Sequence, residues 1–171
     1  MPAKKLKAFL NANNIRYDIL FHPMANTSQE KAAKVHISGK EFAKTVMLKI
    51  NNKMAMAVLP ASYQVDFDIL KIMLGTTNIK LATESEFKAM FPDCEIGAMP
   101  PFGNLYGMDV FVAESLTEDD EIAFNAGTHT ELIVMNYEDY ERLVNPKVFR
   151  FSWKTVAIPH DPAERWELDY Y

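Results

Sequence analysis

Few residues of this chain could do chemistry, and most of them are scattered. There is one cysteine, Cys94, and there are four histidines, His22, His36, His129 and His160. Cys94 follows Pro92-Asp93 in a loop pattern, where it reads as either a catalytic thiol or an incidental half-buried cysteine. The histidines are scattered along the chain and read as structural or solvent-facing rather than as ligands. No P-loop, no GxGxxG after a strand, no G-x-S-x-G elbow, no HExxH and no zinc-type Cys/His spacing occurs. No metal and no cofactor are therefore expected. The remaining candidate is Lys44, in Glu41-Phe42-Ala43-Lys44-Thr45-Val46-Met47-Leu48-Lys49-Ile50. That stretch reads as a turn feeding a strand, with Val46, Leu48 and Ile50 on one face and Thr45, Met47 and Lys49 on the other. A lysine at such a strand start is either a solvated end charge or an ammonium fixed in a pocket, and the stretch alone leaves both roles open.

A second stretch, Gly97-Ala98-Met99-Pro100-Pro101-Phe102-Gly103, is the most unusual local sequence. Two prolines fix φ and restrict the residues before them, while the terminal glycines allow turns that other residues cannot make. The expected product is a stiff loop that presents backbone N–H groups. It could bind a carbonyl or carboxyl oxygen, as an acyl-ester site requires. It could equally be a rigid connector.

These candidates must be positioned by a chain of 171 residues with 49% apolar and 24% charged composition, ordinary for one globular domain with one sizeable core. No apolar run approaches a membrane span, and Met1-Pro2-Ala3-Lys4-Lys5 leads into no signal-peptide core. With a lone cysteine, the expected setting is reducing and cytoplasmic. The net charge of −5 is unevenly spread: residues 1–80 carry 12 Lys/Arg against 5 Asp/Glu, and residues 81–171 carry 6 against 18. One basic face that attracts a polyanion, or two halves interleaved in the fold, would each account for this.

The pattern predicts a short amphipathic helix through Leu6, Phe9 and Leu10, then a strand through Ile15, Tyr17 and Ile19 broken by His22-Pro23. Thr27 and Glu30 form a capping-box signature for a second helix. Asn51-Asn52 joins the Lys44 strand to a second strand, Met54 to Leu59, as a hairpin. Asp66 and Gly75 bracket a helix, Ile79-Lys80-Leu81 is a short strand, and Thr83 with Glu86 caps a helix ending at Pro92. Strands follow at Met108 to Ala113, Ile122 to Phe124 and Thr130 to Met135, then a helix capped by Asn136. Beyond Asn145 no period is sustained, although both tryptophans, Trp153 and Trp166, lie there. Residues 1–145 are read as the domain and 146–171 as an extension packed on it. Many strands and short helices without regular βαβ alternation predict an α+β fold around a strongly curved, barrel-like mixed sheet.

Five segments, in order, resemble the YbaK/EbsC proteins, relatives of the editing domain inserted in bacterial prolyl-tRNA synthetases. They are His22-Pro23…Thr27, Ala43-Lys44-Thr45, Pro60-Ala61…Val65-Asp66, Gly97…Pro100-Pro101-Phe102-Gly103 and Phe124-Asn125-Ala126-Gly127-Thr128-His129. The resemblance covers residues from about 5 to 145 and leaves the tail outside the pattern. It implies the fold of that family and trans-editing: metal-independent hydrolysis of a mischarged amino acid from aminoacyl-tRNA, with tRNA for proline as the expected substrate. It implies Lys44 as the key side chain, with Gly97, Pro100, Pro101, Phe102 and Gly103 cradling the aminoacyl end. Thr45, His22, Gly127 and His129 are implied as further substrate contacts. Asn125 departs from members that carry a histidine near this turn.

An ammonium suits the task, because it stabilises charge developing on the ester carbonyl oxygen without acting as a base. If Lys4, Lys5, Lys7, Lys40, Lys49 and Lys53 share the face of Lys44, they attract the acceptor stem by counterion release. The partners implied are the acceptor end of aminoacyl-tRNA and prolyl-tRNA synthetase, with no membrane. A second class of function also fits: a non-catalytic module that binds tRNA ends or a synthetase and docks through its aromatic tail. The amino acid removed and the oligomeric state are not legible.

Overall fold

The computed structural model describes residues 3–21 and 42–154. The helix predicted from Thr27, together with His22, lies outside them. Helix α1 (Lys4–Ala12) buries Leu6 and Leu10, one turn apart, and ends where Asn14 takes a positive φ of 56°. Strand β1 (Tyr17–Phe21) follows. Strands β2 (Ala43–Ile50) and β3 (Lys53–Pro60) form an antiparallel hairpin, Ala43 opposite Pro60 through Ile50 opposite Lys53. Its turn works because Asn51 and Asn52 both accept positive φ, 50° and 65°, matching the twist of the strands.

After β4 (Tyr63–Val65), Asp66 accepts from the N–H groups of Asp68 and Ile69, both at 3.1 Å, and opens α2 (Phe67–Leu74). Gly75, at φ 64°, ends it. β5 (Ile79–Leu81) precedes α3 (Glu84–Phe87), which opens with the reciprocal Thr83–Glu86 capping box and loses its α-helical course at Lys88, where a 3₁₀ turn takes over. β6 (Asp109–Ala113), β7 (Glu121–Asn125) and β8 (Glu131–Asn136) lead to α4 (Tyr137–Val144), capped by the Asn136 side chain. The segment after Asn145, read above as lacking a strand period, contains two three-residue strands, β9 (Lys147–Phe149) and β10 (Ser152–Lys154).

Among the described residues the strands form three sheets: β1-β8-β7, the mixed β5-β2-β3-β6-β9, and β10-β4. The fold is α+β, but the barrel-like closure expected from the sequence is not found, since no sheet closes among the described residues. The reason lies at one edge of β2. That edge meets β7 at a single parallel bridge, Phe42 with Ala123, and from Leu48 onward it is occupied by β5. A ladder interrupted this way joins two sheets at a seam without continuing one into the other.

Three buried clusters follow from the pleat. Ala43, Met47, Met56 and Val58 face the main core, which also holds Leu6, Leu10, Phe102, Phe124 and Tyr140. Val46, Leu48, Ala57 and Leu59 face a second core with Phe111 and Phe151. Phe42, Ala61, Ala123 and Leu132 form a small third cluster at the seam.

Candidate functional site

Lys44 is the second residue of β2, opposite Leu59 on β3, and is only 6% exposed. Period two places it on the face of Phe42, Val46 and Leu48, where the second core meets the seam cluster. It is therefore no solvated strand-end charge. An ammonium taken out of water this far is costly unless its surroundings are built for it. The bridge from Phe42 to Ala123 also orders what lies beside it: two residues on from each, Lys44 on β2 and Asn125 on β7 share that face. Asn125 is buried as well, at 5% exposure. Ala61, in the turn after β3, donates its N–H to the Phe42 carbonyl at 2.7 Å and closes the seam from the other side.

Thr45, 7% exposed, lies opposite Val58 on the other face of β2, toward the main core. The pleat thus separates the side chains of Lys44 and Thr45.

The glycine–proline stretch divides in two. Its second half is an anchor in the main core. Pro100 and Pro101 are buried, and the Pro101 carbonyl accepts from the Tyr140 hydroxyl at 2.8 Å. The Phe102 ring, fully buried, packs against Phe9, Phe124 and Tyr140 at centroid distances of 6.3, 5.6 and 5.3 Å. Gly103 has no room for a side chain: a Cβ would stand 2.7 Å from Val110 Cγ2 and 2.9 Å from Met108 Cγ.

The first half lies against the turn between β7 and β8. Gly97 and Gly127 both take positive φ, 82° and 89°, values that suit glycine alone among ordinary residues. Gly127 N–H donates to the Ala98 carbonyl at 2.9 Å, and Glu95 N–H donates to the Gly127 carbonyl at 2.8 Å. His129 donates its backbone N–H to Glu95 Oε2 at 3.1 Å, and its ring Nε2 meets the Ile96 carbonyl at 2.7 Å. The structure therefore brings Gly97, Gly127 and His129 together in one unit, and it sets Phe102 and Gly103 in the core. Glu95 belongs to that unit and carries no sequence signal that separates it from any exposed loop acid.

Cys94 sits between Asp93 and Tyr106, its Sγ 3.8 Å from Asp93 Oδ1 and 3.7 Å from the Tyr106 hydroxyl. Burial pushes its thiol up to about 11, which leaves little thiolate near neutral pH and suits a packing role. Among the described residues no group of three or more His, Cys, Asp or Glu is placed to hold a metal ion, and no helix is long and apolar enough to cross a membrane.

Three of the lysines expected beside Lys44 are engaged by other groups. Lys7 pairs with Glu131, and Lys49, on the opposite face of β2, pairs with Glu86. Lys5 donates to the Leu105 carbonyl at 2.6 Å and lies over the Tyr106 ring. Acids of the second half thus interleave with bases of the first, and Lys40 lies outside the described residues.

Comparison with known proteins adds three likenesses. The chain is 31% identical over 154 residues to the multifunctional Ser/Thr-tRNA deacylase ProXp-y of Escherichia coli strain K12, covering 86% of this chain and 91% of that protein. Its fold is similar to that of a candidate trans-editing enzyme for prolyl tRNA synthetase, with TM-score 0.75 and 17% identity, over 90% of this chain and 97% of the other. It is also similar to hypothetical protein APE2540, with TM-score 0.78 and 18% identity, over 88% and 100%. The sequence model of the aminoacyl-tRNA editing domain matches residues 22–143. With more than half of its length inside that match, this chain belongs to the aminoacyl-tRNA editing domain family.

Proposed function

We propose that this protein is a trans-editing aminoacyl-tRNA deacylase that removes a mischarged amino acid from tRNA, with Lys44 as its key side chain. The observation that carries the reading is the burial of Lys44 at the seam of two sheets, in a chain of the editing family. The curated relative's activity on Ser- and Thr-tRNA supports hydroxyl amino acids as the substrate class, and the structural neighbour supports tRNA for proline as the first tRNA to test.

The chemistry needed is ester hydrolysis. A water attacks the ester carbon, the carbonyl oxygen takes up negative charge, and the terminal ribose hydroxyl leaves. The amino acid departs as a carboxylate and one proton passes to solvent. An ammonium fixed before the reaction starts stabilises the developing oxyanion without reorganisation in the transition state. Lys44 suits that role because its strand is hydrogen-bonded on both sides, to β3 along its length and to β5 from Leu48. Peptide N–H groups of the Glu95–Met99 segment are the second source of donors in this reading. Among the described residues, the Gly97 and Met99 N–H groups meet no acceptor.

The test is a panel of tRNAs mischarged with Ser, Thr, Ala and Cys, tRNA for proline included, incubated with the wild-type chain and with Lys44→Ala. The expected result is accelerated release of at least one amino acid by the wild type and loss of that acceleration in the variant. Binding without release from any member of the panel would assign the chain to a tRNA-end binding module. Undiminished turnover in Lys44→Ala would refute the role of Lys44.

A further inference from the structure

We propose that Glu95 and His129 are positioning residues that set the direction of the Gly97 N–H toward the substrate. This rests on the deacylase reading above, and it concerns two side chains to which that reading assigns no step.

The peptide joining Ile96 to Gly97 is planar, so its C=O and N–H point in opposite directions. Gly97 has a positive φ and no Cβ, so on its side of that peptide no side chain selects between the two orientations of the plane. The choice falls to hydrogen bonding. The Ile96 carbonyl is an acceptor only, so the 2.7 Å contact requires His129 Nε2 to carry the hydrogen. With the carbonyl held by the ring, the Gly97 N–H is turned away from His129, and among the described residues it meets no acceptor.

Glu95 performs the reciprocal task. Its carboxylate receives the His129 backbone N–H at 3.1 Å, and its own N–H holds the Gly127 carbonyl at 2.8 Å. The imidazole therefore stands on a turn that Glu95 fixes, and it fixes the peptide next to Glu95 in return. A donor aimed in advance in this way is the requirement for stabilising an oxyanion, and a misplacement of about 1 Å can cost on the order of a hundredfold in rate.

Four variants of the full chain test the proposal: His129→Ala, His129→Gln, Glu95→Ala and Glu95→Gln. Each is assayed by single-turnover and steady-state deacylation of the panel's best substrate, and by hydrogen–deuterium exchange of the Glu95 and Gly127 amides, which are hydrogen-bonded within the unit. His129→Ala and Glu95→Ala are expected to lower kcat by about ten- to hundredfold with little change in KM, the pattern of a contact made in the transition state. His129→Gln is expected to recover most of the rate, because its Nε2 can donate to the Ile96 carbonyl. Glu95→Gln should do the same through its amide oxygen. Faster exchange at the bonded Glu95 and Gly127 amides in His129→Ala is expected whether or not any tRNA is deacylated, so the clamp is tested separately from the activity. Exchange unchanged in His129→Ala overturns the clamp. A His129→Gln variant as slow as His129→Ala overturns positioning in favour of direct contact with substrate. A lowered Tm with kcat intact in both alanine variants reduces both residues to a structural role.

Discussion

At the scale of single residues, Lys44 and Cys94 exchange the ambiguity they had in the sequence for opposite assignments. Lys44 is buried at the seam of two sheets, where an ammonium is costly unless its surroundings are built for it. Lys44→Met keeps much of the length of the side chain and removes its charge, so the variant is expected to retain a cooperative melt while deacylation falls by about a hundredfold or more. Thermal melting followed by circular dichroism, paired with single-turnover deacylation, checks both halves. A variant that melts many degrees lower and retains its rate would return Lys44 to a packing role. For Cys94, a thiol raised from 9.0 to about 11 holds roughly a hundredfold less thiolate at pH 8. Alkylation by iodoacetamide should therefore be slow at pH 8 and still be rising at pH 10. A rate that levels off below pH 9 would contradict the assignment.

At the scale of elements, what the sequence reveals is what is decided locally. The positive φ of Asn51 and Asn52, the Asp66 and Asn136 caps, the Gly75 terminus and the Thr83–Glu86 box were legible because each depends on residues within four positions. The opposed faces of Lys44 and Thr45 were legible from period two alone. The glycine–proline stretch was legible as stiff, but its division was not, because the partners of Phe102 lie as far away as Phe9 and Tyr140. One motif thus mixes an anchor with a presenting segment. The anchor predicts stability effects. Phe102→Ala removes a fully buried ring and should cost about 3–5 kcal/mol. Gly103→Ala drives a Cβ against Val110 and Met108 and should cost about 1–3 kcal/mol. Urea denaturation midpoints read both. A Gly103→Ala midpoint equal to wild type would show that Val110 and Met108 can yield.

At the scale of the whole molecule, contacts between distant parts of the chain decide the charge balance and the limits of the domain, and neither leaves a local signature. Lys7 meets Glu131 across 124 positions, and Lys49 meets Glu86. The basic first half and acidic second half were visible in composition, but their interleaving was not. The Lys49 ammonium, with the Thr83 bonds, lowers Glu86 from 4.5 to about 2. Its folded value lies below its unfolded one, so its contribution is present above about pH 4.5 and is lost as pH falls toward 2. Glu86→Gln should flatten the loss of Tm over that window, and an unchanged acid limb would show the pair to be energetically idle.

The boundary drawn at Asn145 raises the sharper question. A reading by period stops there, because strands of three residues are too short to show one. Yet β9 adds a parallel strand to the five-stranded sheet beside β6, with Phe111 opposite Lys147 and Ala113 opposite Phe149. The Phe151 carbonyl accepts from the Asp66 N–H at 2.6 Å, and its ring is fully buried in the second core, the cluster on the Lys44 face of β2. β10 then pairs with β4, with Trp153 opposite Gln64. We therefore expect that ending the chain after Asn145 bares the edge of β6 and empties the Phe151 site. That cavity alone is worth about 3–5 kcal/mol, a large part of the stability of a domain this size. The shortened protein should melt well below the full chain and bind a hydrophobic dye at room temperature. A cooperative transition within a few degrees of the full chain would instead show that residues 1–145 fold alone and that the last strands are an attachment to a finished domain.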